Sequence, residues 1–193
     1  MSETIKKSLP KNVGILEKRS HFLNIKKRAE KDDEYKYNVF FTACSNGYIN
    51  LVKYFIDSGI CVNKRNDKGL TPLIYAAKNN SSIQVIKELV YAGADLNVVG
   101  ENGLRPLMYA LKYNSSLEVI GTFISSGANV NATDKDGLTP LMYAVKNNSN
   151  VQVIKELISS GANINATDKD GMTILMKAIE AKFSLKIIQT LIA

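Results

Sequence analysis

Apolar residues recur along most of this chain at two spacings. Within one segment they follow a helical period, since Ile83, Ile86 and Leu89 lie three residues apart and Val90 follows. Such a stripe predicts one buried face on a helix. Between segments the same sequence motif returns every 34 residues. A glycine, a leucine and an alanine recur at this spacing: Gly69, Gly103, Gly137 and Gly171; Leu73, Leu107, Leu141 and Leu175; Ala76, Ala110, Ala144 and Ala178. This period predicts a stacked array of repeats.

The second copy contains signals for the start and end of its first helix. Residues 66–69, Asn-Asp-Lys-Gly, predict a tight turn in which glycine takes a left-handed backbone. Thr71 is expected to cap the helix, and Pro72 to take its first position, where the missing N–H costs nothing. We expect Asn80 to end this helix.

The second helix of that copy is expected to be capped by Ser81 or Ser82 and ended by Gly93. The first copy is less regular. We expect its helices over residues 37–45 and 50–58, without the Thr-Pro-Leu of later copies. Terminal repeats are often atypical because one of their faces meets solvent.

These words resemble the ankyrin repeat. The shared motifs are Thr-Pro-Leu, an Ala-Ala pair, Val-Ile-Lys-Glu-Leu and Gly-Ala-Asp/Asn-x-Asn, at these positions: 71–73, 139–141, 76–77, 85–89, 153–157, 93–97, 127–131 and 161–165. The resemblance covers the chain from about residue 35 onward. It implies an all-α fold, an ankyrin-repeat α-solenoid of about five helix-turn-helix repeats joined by short β-hairpin turns.

We expect a basic N-terminal extension over residues 1–34 and a repeat domain over residues 35–193. The units of the repeat domain are expected at these bounds: 35–66, 67–100, 101–134, 135–168 and 169–193. The last unit is shorter than the others. It is either a C-terminal cap or the point at which a longer protein continues.

Two features depart from the family pattern. The spacing is 34 residues, whereas the usual unit has about 33. The extra residue falls between the two helices of a unit, at 79–82 and its equivalents. The histidine that usually follows Thr-Pro-Leu is replaced by apolar residues, so we expect apolar packing instead of its hydrogen bonds: Ile74, Met108, Met142 and Met176.

The net charge of +7 is concentrated at the N-terminus. Residues 1–31 hold nine of the 25 basic residues but three of the 18 acidic ones, a net charge of +6, which leaves +1 for the rest. Residues 15–30 predict a helix whose apolar face has three residues at seven-residue spacing with two leucines beside them: Ile15, Phe22 and Ala29; Leu16 and Leu23. Arg19 and Lys26 interrupt this face, so the amphipathic character is weak. Three interpretations stay open: an extension docked on the first repeat, a targeting or nucleic-acid segment carried by residues 26–28, or a membrane-surface helix.

Catalytic chemistry is not indicated. One histidine, His21, and two cysteines, Cys44 and Cys61, build neither a nucleophile–base pair nor a zinc site. The Asp-Lys-Asp-Gly words at 134–137 and 168–171 lack the further ligands of a calcium loop and predict hairpin turns. We therefore expect no enzyme activity, no cofactor and no metal.

The cysteine content suits a reducing compartment. No apolar run has the length of a membrane span, and the N-terminus has no signal-peptide pattern. We expect an intracellular, cytoplasmic location, with delivery into another cell left open.

The resemblance implies that a partner protein binds a concave face made of hairpin tips and first helices. The expected binding residues are four tyrosines on first helices and five charged residues at or near the tips: Tyr75, Tyr109, Tyr113 and Tyr143; Arg65, Lys68, Glu101, Arg105 and Lys135. Tyrosine is enriched at interface hot spots. The alternative is that these tyrosines only pack against neighbouring repeats. Arg105 stands where other repeats have threonine, and we expect an exposed cation there.

The function that follows is a non-enzymatic protein–protein interaction scaffold, expected to be a monomer. Two alternatives remain. One is a nucleic-acid-associated or targeting protein acting through the basic tail, and the other is the regulatory region of a longer enzyme.

Overall fold

The computed structural model describes residues 23–79, 82–113, 116–147 and 150–192. The chain divides into two compact units, residues 1–42 and 43–193. In the first unit residues 23–29 are helical, Ile25 and Ala29 are buried, and Leu23 is 55% exposed. The prediction that Leu23 lies on the apolar face is therefore wrong, because the buried face follows Ile25 and Ala29, four residues apart. The earlier part of this predicted helix and of the basic tail lies outside the described residues.

The remaining described residues form helices joined by turns. Their bounds are α1 (Asp33–Asn46), α2 (Ile49–Asp57), α3 (Pro72–Lys78), α4 (Ile83–Tyr91), α5 (Pro106–Tyr113), α6 (Leu117–Ser125), α7 (Pro140–Lys146), α8 (Val151–Ser159), α9 (Ile174–Glu180) and α10 (Leu185–Ile192), with a short 3-10 turn at Glu101–Gly103. No β-strand forms in these described ranges, and the hairpins contribute one isolated bridge, Thr167 with Thr173. The all-α repeat architecture is confirmed.

Helix α1 begins earlier than the sequence pattern predicts. The carboxylate of Asp32 accepts a 2.9 Å hydrogen bond from the Tyr35 backbone N–H. Asp33 and Glu34 occupy the first turn, where negative charge is favoured by the helix dipole. The acidic residues are therefore part of the start of α1, whereas the sequence pattern starts this helix at residue 37.

In the second copy, the residues predicted to start the helices make the expected capping contacts. The Thr71 hydroxyl oxygen accepts from the Ile74 backbone N–H at 3.4 Å, and Pro72 opens α3. Helix α3 ends at Lys78, and Ser82 caps α4 by accepting from the backbone N–H of Gln84. The residues predicted to end the first helices, Asn80 and its equivalents 114 and 148, lie outside the described residues.

From residue 43 onward the helices form two packed rows. The first helices α3, α5, α7 and α9 each contact the next of their row, and so do the second helices α2, α4, α6, α8 and α10. Ala76, Ala110 and Ala144 are fully buried, which lets neighbouring helices approach closely. The two rows enclose a continuous apolar core, as in a solenoid.

The residues at the missing-histidine position behave in two ways. Ile74, Met108 and Met142 are at most 2% exposed, so apolar packing does replace a histidine in three repeats. Met176 in the last unit is 51% exposed. Among the described residues, α9 therefore lacks a neighbour over the face that its equivalents bury.

Asparagines connect the ends of successive repeats. Asn131 donates from its amide to the Gly161 carbonyl at 2.8 Å and accepts from the Asn163 backbone N–H at 2.7 Å. Asn97 and Asn63 make the same two contacts one and two repeats earlier, respectively. One side chain thus fixes the loop after each of three second helices to the repeat before it.

Candidate functional site

The site predicted from sequence begins at the hairpin tips, and in three of them one acidic or amide side chain sets the conformation of the turn. In the tip that leads into the fourth repeat, Oδ1 of Asp134 accepts from the backbone N–H groups of Asp136 and Leu138, at 2.8 and 2.9 Å. Asn66 and Asp168 accept in the same way in the tips that lead into the second and fifth repeats. The prediction that these residues serve turn chemistry is confirmed.

The tips of the last three repeats touch each other through backbone. The Lys135 N–H donates to the Asn102 carbonyl at 3.0 Å, and the Lys169 N–H donates to the Asp136 carbonyl at 3.0 Å. A Cβ on Gly103 would lie 2.8 Å from the Lys135 nitrogen, closer than real contacts allow. Glycine is needed there for this approach as well as for its positive φ of 80°.

The tyrosines of the first helices bond to these tips. The Tyr143 hydroxyl donates to Oδ2 of Asp134 at 2.7 Å, and the Tyr75 hydroxyl accepts from the Asn66 side-chain amide at 2.9 Å. In the last repeat the equivalent residue is Lys177, whose ammonium lies 2.5 Å from Asp168. Each first helix therefore anchors the hairpin that precedes it.

Tyr109 in the third repeat has a weaker anchor. Its hydroxyl lies 3.4 Å from the Glu101 carbonyl oxygen, because Gly100 stands where the other tips have Asn or Asp. A Cβ on Gly100 would come within 3.0 Å of both the Tyr109 hydroxyl and Ile74. The tip of this repeat is correspondingly different, a 3-10 turn over Glu101–Gly103.

Exposure separates the four predicted tyrosines. Tyr109 is 3% and Tyr143 7% exposed, and Tyr75 is half-buried, whereas Tyr113 is 46% exposed. The Tyr113 ring stacks on Tyr109, with centroids 6.4 Å apart and planes 17° from parallel. Tyr113 is therefore the tyrosine of this set with the most ring surface open to a partner.

Burial also changes the acidity of the anchored phenols. It raises the pKa of Tyr109 to about 12, with the Glu101 carboxylate adding to the rise. Burial likewise raises the pKa of Tyr143, and the hydrogen bond from Tyr143 to Asp134 raises it further. Both phenols keep their protons at neutral pH, so the Tyr143 hydroxyl acts as a donor.

The predicted charged residues are spread along the tips. Arg65, Lys68, Glu101 and Lys135 are exposed, and one guanidinium nitrogen of Arg65 donates to the carbonyls of Gly69 and Val99, at 3.2 and 3.0 Å. They lie at the hairpin tips, and among them Glu101 contacts a predicted tyrosine, Tyr109, through its backbone carbonyl.

Arg105 differs from its prediction as an exposed cation. It is half-buried, its guanidinium donates to the Asn97 carbonyl, and its Nε is buried without a hydrogen-bond partner. The expectation of full exposure is wrong because the side chain turns back along the loop before its own helix. The Arg105 side chain thus connects the start of α5 to the loop that contains Asn97.

One ion pair joins two neighbouring hairpin tips, and a second joins the first helix of the fifth repeat to its own tip. Lys169 lies 2.5 Å from Asp136, and the hydrogen bond from Lys169 lowers the pKa of that carboxyl and raises the pKa of Lys169. The hydrogen bond from Lys177 lowers the pKa of Asp168, whose side chain is 3% exposed. These cations are therefore occupied within the protein.

Sequence reasoning missed a second row of cations on the first helices. Lys78, Lys112 and Lys146 follow the three anchored tyrosines by three residues, so they lie on the same helix face. We call these three residues the lysine row. Their 34-residue spacing was the signal that could have identified them.

Within the described ranges, no group of three or more His, Cys, Asp or Glu side chains is arranged to hold a metal ion. Cys44 is buried, which raises the pKa of its thiol, and Cys61 is exposed; both are unpaired. Of the described helices, none has the length and apolar character needed to cross a membrane.

Paired helices at a fixed period, joined by hairpin tips and packed in two rows, define a helical repeat protein. Residues 15–100 and 107–193 match the family model described as ankyrin repeats (3 copies), and the chain belongs to the ankyrin repeat family. Repeats of this family are general protein–protein interaction modules, and the family is typically non-enzymatic. A search of curated proteins gave no match to the chain.

Proposed function

We propose that the protein is a non-enzymatic scaffold that binds a partner protein through the first-helix face. We define this face as the exposed side chains of α3, α5 and α7 with the hairpin tips beside them. The observation that carries the proposal is Tyr113, an aromatic ring 46% exposed on an otherwise anchored surface. Exposed, rigid tyrosines supply large contact area at little entropic cost.

Rigidity supports the same proposal. Tyr113 is stacked on the buried Tyr109, and Asn147 of the next first helix donates to the Leu111 carbonyl at 3.2 Å. A partner that covers Tyr113 therefore meets a surface already in its bound form, which limits the ordering cost of binding.

The roles of the remaining predicted residues follow from their positions. Tyr75 offers a half-buried edge, and the exposed Arg65, Lys68, Glu101 and Lys135 contribute charge at the tips. Tyr109, Tyr143 and Arg105 act mainly by holding this surface in shape. The domain bounds given above, a monomeric state and a cytoplasmic location belong to the same proposal; the unpaired Cys44 and Cys61 suit that location.

The test is affinity capture from nuclease-treated lysate of source cells with three proteins: the full chain, Tyr113→Ala and Tyr91→Ala. Tyr91 is the matched control, because it is 96% exposed but lies on the second helix α4. We expect one protein to be retained by the full chain and Tyr91→Ala, and lost by Tyr113→Ala. Retention by Tyr113→Ala with loss by Tyr91→Ala would move the binding surface to the second helices.

The basic tail is the alternative carrier, and its residues 1–22 lie outside those described. Comparing capture with and without nuclease addresses it directly. If nuclease empties the beads of bound protein, the nucleic-acid interpretation replaces the scaffold.

A further inference from the structure

The lysine row places positive charge alone on the exposed sides of α3, α5 and α7, whereas the hairpin tips carry charges of both signs. Lys112 and Lys146 are exposed and Lys78 is half-buried. Among the ion pairs of the described residues, none involves these three lysines; the pairs there use Lys36, Lys53, Lys87, Lys169 and Lys177. The row is therefore available to an external anion.

Two members of the row lie close to the ring of Tyr113. The ammonium of Lys78 is 6.0 Å and that of Lys112 is 5.3 Å from the centroid of its ring. The two ammonium groups can thus be no more than about 11 Å apart, since both distances share that centroid. The ring and its two cations form one aromatic and basic patch.

The spacing of the row follows from helix packing. The helices carrying it, α3, α5 and α7, contact each other in sequence, and packed helices lie about 8–10 Å apart. A polyproline II chain has three residues per turn and rises about 9 Å per turn, so its side chains at every third position share one face at this spacing. A β-strand would turn every other such side chain away.

We propose that the first-helix face binds an acidic segment of its partner protein in a polyproline II-like conformation, with carboxylates at every third residue on the lysine row. This inference rests on the proposed function and names its partner chemistry. Tyr113 packs against the segment between the carboxylates held by Lys78 and Lys112. Proline suits such a segment because it favours the required backbone and needs no donor.

Acidic groups around the row limit its length and its ligand. The Asp136 carboxylate, already paired with Lys169, is close enough to Lys146 for Lys146 to lower its pKa further. Glu180 takes the fourth position of the row, so its sign reverses in the last unit. A continuous phosphate backbone would meet these carboxylates, and nucleic-acid interfaces are much more positive than residues 32–193, whose net charge is +1.

The test measures fluorescence anisotropy of labelled peptides on the full chain. The first peptide repeats Glu-Pro-Pro. A second has the same composition with its Glu residues grouped at one end, and a third has Gln for every Glu. We expect the first to bind most tightly, the grouped peptide several-fold more weakly, and the Gln peptide at least about tenfold more weakly. Binding should weaken as salt rises.

Two triple variants distinguish the contribution of the lysine row to affinity from the contribution of overall net charge. The row variant carries Lys78→Gln, Lys112→Gln and Lys146→Gln. The control variant carries Lys53→Gln, Lys87→Gln and Lys155→Gln, which removes the same charge from exposed positions of the second helices. Both retain the basic tail. We expect the row variant to lose at least about tenfold in affinity for the first peptide and the control to lose less than about threefold.

The outcomes that overturn the proposal are distinct from those that overturn the scaffold. Equal losses in the two variants, or equal binding of the Glu and Gln peptides, refute the acidic segment. If the captured partner still binds the row variant but not Tyr113→Ala, the scaffold stands and its partner is not held by the row. A single-stranded oligonucleotide that binds more tightly than the first peptide, and is lost by the row variant, would assign the face to nucleic acid instead.

Discussion

The Tyr143 hydroxyl donates a 2.7 Å hydrogen bond to Oδ2 of Asp134, nine residues earlier, while Oδ1 of the same carboxylate holds the hairpin turn. One acidic side chain thus connects a tip to its first helix. The Tyr143 ring is 7% exposed, so the bond is largely shielded from water. Tyr143, which the sequence predicted to contact a partner, therefore forms a hydrogen bond that stabilises the repeat itself.

This bond predicts a stability difference between two tyrosines. Tyr143→Phe removes a donor from a carboxylate that is partly buried, and we expect a loss of about 1–2 kcal/mol in the free energy of unfolding. Tyr113→Phe retains the exposed ring, and we expect a change within about 0.5 kcal/mol. Urea unfolding followed by circular dichroism measures both. Equal losses in the two variants would contradict the anchoring role.

The contact between tips predicts that two glycines with similar backbone angles differ in their tolerance of alanine. Gly103 and Gly171 have φ of 80° and 74°, so either substitution strains the backbone. A Cβ at Gly103 would also meet the Lys135 nitrogen at 2.8 Å, whereas at Gly171 nothing described lies within 4 Å. We expect Gly103→Ala to destabilise by about 1–3 kcal/mol more than Gly171→Ala.

Thermal unfolding of the two glycine variants at one protein concentration provides the comparison. Gly137→Ala is a second member of the test, since its Cβ would lie 2.9 Å from the Lys169 nitrogen. It should behave like Gly103→Ala. If all three variants melt together, backbone strain alone determines the cost and the tips are not in firm contact.

The asparagines between repeats give a third prediction. Asn131→Ala removes one donated and one accepted hydrogen bond, so we expect a loss of about 1–2 kcal/mol. Asn165 is its equivalent 34 residues later, before the last unit begins, and within the described residues its side chain makes no hydrogen bond. Asn165→Ala should therefore cost less than about 0.5 kcal/mol. The denaturant midpoints of both variants measure this difference in stability. A larger loss for Asn165→Ala than for Asn131→Ala would refute the stabilising role of the Asn131 hydrogen bonds.

The Asp168–Lys177 pair predicts how stability depends on pH. The hydrogen bond from Lys177 lowers the pKa of Asp168 below its ordinary value of 3.8, so folding favours the charged carboxylate. Its contribution is present above pH 3.8 and is lost as the pH falls through the lower pKa of the folded state. We expect the unfolding free energy to decrease below about pH 4 because of this group.

Asp168→Asn isolates that contribution. Asn66 shows that an asparagine side chain can hold the same turn, so the variant should fold with its hairpin intact. Its stability at neutral pH should be lower, and its further loss between pH 5 and pH 3 smaller, than that of the unaltered chain. Asp170→Asn removes the same charge from the same turn and is the control. A parallel acid profile for Asp168→Asn and the unaltered chain would show that the pair contributes nothing.

Local signals in the sequence determined much of the architecture. The threonine caps, the prolines at helix starts and the turn-forming Asn and Asp act within a few residues of themselves, so the 34-residue words were enough to predict them. The start of α1 and the face of residues 23–29 were less well predicted. The apolar pattern is weak in this part of the chain, so tertiary packing determines which face of residues 23–29 is buried.

The candidate site depended on distances that the sequence does not contain. Spacing placed Tyr75, Tyr109, Tyr143 and Tyr113 on one side of their helices. Only the packing of neighbouring repeats decided that Tyr109 and Tyr143 are buried and Tyr113 is exposed. Likewise, Lys78 and Lys112 are far apart in sequence but reach one ring, because α3 and α5 lie side by side. A repeat specifies its own turns and caps by local bonding, whereas exposure and shared contacts arise between repeats, where the separation of two packed helices sets what each side chain meets.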